Sequence, residues 1–350
     1  MGNKKHKILV VATSEKSRGG ITSVVKAHKQ GGQWQKYHCK WIETHRDGNY
    51  LRKLRYLLVS LLKYTFLLPF FDGVHIHFSI TASAKRKFIF FRIAKFFDKK
   101  IIIHFHAGNQ LNDIWNSTYN EMFTGADKSL VLSSGIKEIV ENKIGKTYKN
   151  KIEVLFNPCP QINRSVNNEK KNNILFAGTL MQLKGYQDLI DAFASLTEYN
   201  DWNLVFAGNG EIEKGEQLAK KLGIEKRVKF LGWLNGDAKD KAFREASIFC
   251  LPSYAEGFPM AVLDAWAYGI PVVTTPVGGI PDIVQDEING LLFPAGNVKI
   301  LSQQLEKLIR DKSYRENIVS ESDKLVSNVL NINVINKKLD SIYAEVLDDN

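Results

Sequence analysis

The chain alternates short, β-rich apolar runs with helix-length stretches, and it does so twice around a single interruption. The first series of candidate strands is Lys7–Ala12, His38–Glu43, Val74–Phe78, Lys100–Phe105, Ser129–Leu132 and Glu153–Phe156. Helical patterns lie between them, the clearest at Ile21–Lys29, Leu51–Leu68 and Ala84–Phe97. Near Asn157 the alternation stops in a stretch rich in Asn, Pro and charge, which is the composition of a linker. It restarts with strands Asn173–Ala177, Asn203–Ala207, Val228–Leu231, Ile248–Pro252 and Val272–Thr274. The helices between these are near Tyr186–Leu196, Glu211–Leu222, Ala238–Ala246 and Pro259–Tyr268. Strands separated by helices of this length form parallel βαβ units. The expected fold is therefore α/β, two doubly wound Rossmann-like domains facing across a cleft, with ligands at the C-terminal ends of the strands. A length of 350 residues suits two domains. They are expected at 1–160 and 161–330, and the helical segment 331–350 is expected to pack back toward the N-terminal domain.

Charge divides unevenly between the halves. Residues 1–110 hold 21 Lys and Arg against five Asp and Glu, a net of +16, while the remaining 240 hold 27 against 32, a net of −5. The basicity of the first domain points to an anionic partner there, whether nucleic acid, an acidic membrane surface or a phosphorylated substrate. It concentrates in Leu51–Phe71 (Arg52, Lys53, Arg55, Lys63) and in Lys85–Lys100, where Lys85, Arg86, Lys87 and Arg92 sit beside Phe88, Phe90 and Phe91. A basic, aromatic-bearing helix suits an anionic membrane surface. The plainer reading buries Leu54, Leu57, Leu58, Leu61 and Leu62 against the sheet. No nucleic-acid motif accompanies the charge, so no nucleic-acid partner is expected. The apolar run Tyr56–Phe71 is broken by Lys63 and Pro69, short of the roughly 18 residues a spanning helix needs. Three scattered cysteines form neither a disulfide framework nor a zinc site, which fits a reducing compartment.

The densest chemistry lies after the strand ending at Pro252. Glu256 and Gly257 form a turn, and a helix follows with Pro259 suited to its first turn. Backbone N–H groups at such a helix start bind an anion such as a diphosphate, and Gly257 permits close backbone approach. Asp264, between one and two turns inside, gives a second carboxylate able to reach another part of the same ligand. The turn Val277-Gly278-Gly279-Ile280 after the next strand brings a further backbone approach. The bland reading is an ordinary strand–loop–helix connection with solvated acids. The whole stretch is better explained as a binding site.

These residues resemble the retaining, nucleotide-sugar-dependent glycosyltransferases of family four, which have the GT-B fold. The matching pattern is an acid, seven residues, and a second acid, followed by Gly278-Gly279 and Asn289-Gly290. By that resemblance Glu256 contacts the donor sugar and Asp264, where the family usually has Glu, contacts the ribose. Gly257, Phe258, Pro259 and Met260 line the donor. The segment Leu175–Leu180 followed by Lys184-Gly185 is similar to the family's strand–glycine–lysine segment, giving Gly178, Thr179 and Lys184. Lys184 would be a point charge on the donor pyrophosphate, and Thr179 stands where many members have Arg. Gly208 closes the family's next strand, and Arg18 with Gly19 and Gly20 resembles its glycine pair opening the first helix. His106 occupies the place of the family's histidine loop facing the sugar. The resemblance implies Glu256, Lys184 and His106 as catalytic residues, and front-face transfer in which a donor phosphate oxygen takes the acceptor's proton.

No Asp-x-Asp occurs in the chain, so no metal and no cofactor is expected. Of the histidines, His75, His77 and His104 read as core residues, because no Cys, Asp or Glu accompanies them at ligand spacing. The expected activity is transfer of a sugar from a nucleotide-diphosphate donor, UDP favoured, onto a lipid-linked oligosaccharide in surface polysaccharide assembly. The expected place is the cytoplasm, peripherally on the inner face of the plasma membrane. Two rivals come from other classes. A nicotinamide-dependent oxidoreductase would share the Rossmann domains, but the turn Thr13–Gly20 lacks G-x-G-x-x-G. The other is a non-catalytic, membrane-associated sugar-binding protein.

Overall fold

The computed structural model describes residues 6–17, 19–46, 48–108, 110–165 and 169–348. It divides into two compact units, Met1–Pro158 with Ile332–Asn350, and Cys159–Asn331.

The first unit is built on a six-stranded parallel sheet: β1 (Ile8–Ala12), β2 (Lys40–Glu43), β3 (Gly73–Phe78), β4 (Lys100–Phe105), β5 (Lys128–Val131) and β6 (Ile152–Val154), in the order β2-β1-β3-β4-β5-β6. Strands buried on both faces need no apolar–polar alternation, and β1 and β3 are buried at every position. One face packs on Tyr64, Phe90, Phe91, Met122 and Phe123. The other is closed by the last helix, Ile332–Asp348, through Ile335, Leu339, Ile342, Tyr343, Val346 and Leu347.

The second unit repeats the plan with β7 (Asn173–Ala177), β8 (Asn203–Ala207), β9 (Val228–Phe230), β10 (Ile248–Leu251), β11 (Val272–Thr274) and β12 (Leu291–Leu292). Its order is β12-β11-β10-β7-β8-β9, every pairing parallel. The chain reverses its direction of winding between β7 and β10, and a doubly wound sheet opens a crevice beyond the strand ends at that point.

The Tyr50–Leu67 helix corrects one expectation. It buries only Ser60 and Tyr64 fully, with Leu57 and Leu61 packed partly against the core. Leu54, Leu58 and Leu62 face solvent instead of the sheet, as do Leu51 and Phe66, the last 74% exposed. Arg52, Lys53, Arg55 and Lys63 share this exposed surface. No helix of the described residues is long and apolar enough to cross a membrane.

Candidate active site

Three loops meet at the reversal point of the second sheet, and backbone contacts too close for any side chain fix their positions. The loop after β7 ends in a short helical turn, Gln182–Lys184, capped by Gly185 in the left-handed conformation at φ 65°. A Cβ on Gly185 would sit 2.0 Å from the Pro252 carbonyl oxygen at the end of β10. Only glycine allows that approach. The Tyr254 N–H donates to the Leu183 carbonyl at 2.9 Å, so the loops after β7 and β10 are pinned together. Between β7 and β8 the same device recurs, since a Cβ on Gly208 would lie 1.7 Å from the Gly178 carbonyl oxygen. After β11, Gly278 holds φ 62°, and its Cβ position is 2.1 Å from the Glu256 carbonyl oxygen. The Gly279 N–H donates to the Gly257 carbonyl at 2.7 Å, so the glycine pair carries the Glu256-Gly257 turn.

On this frame Lys184 and Glu256 meet. Lys184 Nζ lies 2.6 Å from Glu256 Oε1, and Ser253 Oγ donates to the same oxygen at 2.6 Å. The Glu256 side chain is only 8% exposed, whereas that of Lys184 keeps 24%. A largely buried carboxylate needs such partners, because an unpaired charge there would cost several kcal/mol. Phe258 packs beneath Gly279, and the helix Met260–Ala267 begins one residue later than expected. Pro259 is its extended N-cap, not its first helical residue, and no side chain caps the first turn. Burial pushes the Asp264 carboxyl above the usual range, opposed by Lys239, whose Nζ donates to Oδ2 at 2.7 Å.

Lys239, from the helix Gly236–Glu245, and Ser253 are site groups that sequence reasoning missed. Ser253 was in view next to the acid. Lys239 is 25 residues from its partner, with no motif to mark it. Thr179 is exposed on the loop after β7, and Met260 is half-buried at the helix start. The other proposed positions belong to the first unit. Gly19, at φ 125°, is the N-cap of the helix Gly20–Lys29. His106, half-buried just past β4, has Nε2 2.9 Å from His77 Nδ1. Arg18 lies outside the described residues.

The sheet order and glycine-framed loops define a doubly wound, Rossmann-like domain, and comparison with known proteins agrees. Residues 160–325 match the family model described as Glycosyl transferases group 1. An uncharacterized glycosyltransferase of Methanocaldococcus jannaschii is 33% identical over 176 residues, 50% of this chain and 45% of that protein. The lipopolysaccharide 1,6-galactosyltransferase of Salmonella typhimurium is 31% identical over 209 residues, 57% of each chain. This chain thus spans about half the length of these curated relatives. Among solved structures, Anabaena HepE in complex with UDP-glucose superposes with a TM-score of 0.76 at 18% identity, covering 97% of this chain and 99% of that one. The architecture is that of the GT-B glycosyltransferases, two Rossmann-like domains in one chain.

Proposed function

We propose that the chain is a retaining, family-four glycosyltransferase that moves a sugar from a nucleotide-diphosphate donor, a UDP-sugar foremost, onto a lipid-linked oligosaccharide acceptor in surface polysaccharide synthesis. The carrying observation is the Lys184–Glu256 pair at the reversal point of the second sheet. Breaking a glycosyl–phosphate bond leaves a diphosphate with extra negative charge. A cation fixed beside it lowers the barrier more than it stabilises the ground state. Lys184 is such a cation, and Glu256 holds it in place until a donor enters. Glu256 then faces the sugar, Asp264 the ribose, and the uncapped helix start at Met260 the phosphates. By the family resemblance His106 is the histidine assigned to the sugar. The leaving phosphate's own oxygen takes the acceptor proton, so neither a protein base nor a metal is needed for transfer. Relatives support this reading, the Salmonella enzyme by its name and HepE by the UDP-glucose it holds.

The membrane part rests on the Tyr50–Leu67 helix, which contains no acidic residue. Its exposed Leu51, Leu58, Leu62 and Phe66 would enter the interface of an anionic bilayer, with Arg52, Lys53, Arg55 and Lys63 at the headgroups.

A thermal-shift screen over UDP-sugars, GDP-sugars and NAD tests the donor. A ligand that binds only the folded chain raises Tm by mass action. A UDP-sugar shift with donor turnover is expected; a shift with NAD alone would favour the oxidoreductase, and a sugar shift without turnover a binding protein.

A further inference from the structure

A group of histidines occupies the interior of the first unit, and no carboxylate belongs to it among the described residues. His75 and His77 are two apart on β3, so both point to the same face, and His77 stands opposite His104 on β4. All three are buried. Their ring centres lie 4.2 Å apart for His75 and His77, 5.0 Å for His77 and His104, and 5.5 Å for His75 and His104. One nitrogen from each lies within 4.8 Å of the other two. His28, buried on the helix Gly20–Lys29, faces them with its ring centre 6.2 Å from those of both His77 and His104.

The hydrogen bonding of these rings is one-sided. His75 Nδ1 is 2.7 Å from the Tyr343 hydroxyl, His77 Nδ1 is 2.9 Å from His106 Nε2, and His28 Nδ1 is 2.9 Å from Asn336 Oδ1. In each case Nε2 is buried with no partner among the described residues, and His104 has a partner at neither nitrogen. Buried polar atoms are nearly always satisfied, and a cluster of exceptions calls for a reason. A histidine whose Nδ1 is held by a neighbour while Nε2 stays bare has the arrangement of a metal ligand with its supporting partner already in place.

We infer that His75, His77 and His104 form a site for one divalent transition-metal ion of the zinc class, with His28 Nε2 able to complete a four-nitrogen set. Neutral imidazoles without carboxylates select zinc, copper or nickel over magnesium or calcium. Nitrogens bound at about 2.0–2.1 Å around a tetrahedral ion stand roughly 3.4 Å apart. The nitrogens now lie within 4.8 Å of one another, so the rings would have to draw in to reach that spacing on binding.

A site closed by protein is structural rather than catalytic. It would clamp β3 and β4 to the helix Gly20–Lys29 and, through Tyr343 and Asn336, to the last helix. It would also fix a proton. A metal on His77 Nε2 leaves the ring hydrogen on Nδ1, which then donates to His106 Nε2 and confines the His106 hydrogen to Nδ1. The proposal does not depend on the sugar-transfer reading, because metal binding can be read without any activity.

The test is reconstitution of the tag-free chain, unfolded with chelator and refolded with Co²⁺. The expected result is one Co²⁺ per chain after dialysis, with the strong visible absorption of a four-coordinate nitrogen site and a raised Tm. All three are lost in His75→Leu, in His104→Leu and in the double variant. Retention of ion and spectrum in the double variant would overturn the assignment. If the variants do not fold, X-ray absorption of the zinc-refolded wild-type chain decides. Three or four imidazoles support the site; fewer than three, sulfur ligation, or substoichiometric metal would refute it.

Discussion

Glu256 and Lys184 neutralise each other across two loops, so each variant exposes what the other does alone. Glu256→Gln keeps the shape and removes the charge; Lys184→Ala removes the cation and leaves Glu256 largely buried without its counterion. Donor turnover is expected to fall about 10²–10³-fold in either, the scale for deleting one preorganised charge-stabilising group. The double variant should lose much less than the product of the two, because the residues act as a unit. Full kcat in both single variants would remove this pair from the reaction. Asp264→Asn is expected to weaken UDP-sugar binding roughly 10- to 100-fold, measured by calorimetry, since a hydrogen bond to a charged group contributes roughly 1.5–3 kcal/mol. Lys87 poses a different question. It is fully buried on the helix Ala82–Phe96, its amine hydrogen-bonded to the Thr44 hydroxyl, and burial with nearby Arg86 holds it well below the usual lysine range. The unfolded chain keeps that proton to higher pH than the folded one, so Lys87 opposes folding at neutral pH and opposes it less as pH rises. Lys87→Met should therefore raise Tm at pH 7, with the gain shrinking toward pH 10. At this scale, the sequence made Glu256, Lys184 and Asp264 visible because the first two sit in two motif-bearing loops and the third at a fixed offset in the helix that follows. Lys239 was not legible, since only the packing of one helix beside another brings it to Asp264.

Loops and helices carry their own tests. Gly278→Ala places a methyl 2.1 Å from the Glu256 carbonyl oxygen at φ 62°, while Gly223→Ala, at φ 70°, meets nothing within 4 Å. Both incur the left-handed strain of about 1–2 kcal/mol. Only Gly278→Ala should lose further stability and donor affinity, because its clash moves the turn bearing Glu256; urea titration and UDP binding separate the two. For the Tyr50–Leu67 helix, sedimentation with anionic vesicles, weakened by salt, is expected for the wild-type chain. Replacing Leu58, Leu62 and Phe66 by Ser should abolish it without changing Tm, since all three are exposed. No sedimentation of the wild-type chain would dismiss the membrane proposal. Strands were the most legible elements: β4, β7, β8 and β11 run over the residues that the apolar runs mark. The two-residue β12 escaped because so short a run has no periodicity. The Tyr50–Leu67 helix was legible as a helix, but not in which leucines it hides. With apolar residues nearly all round, sequence alone leaves the buried stripe undecided.

At the scale of the whole chain, the first unit is assembled from its two ends. Six side chains of the Ile332–Asp348 helix are buried against its sheet. At about 1.5–3 kcal/mol for each large apolar side chain buried, their sum rivals the roughly 5–15 kcal/mol that holds a domain folded. Truncation after Asn331 should therefore leave the second unit folded and the first open. Hydrogen exchange would then show protection in β7–β11 and none in β1–β6. Protection of β1–β6 in the truncated chain would mean the helix is an ornament.

The return of that helix has a consequence for biosynthesis. A ribosome delivers the second unit whole before it releases the residues that finish the first. The nascent chain must therefore carry an unsealed N-terminal sheet through most of translation, and the half made first is the half completed last.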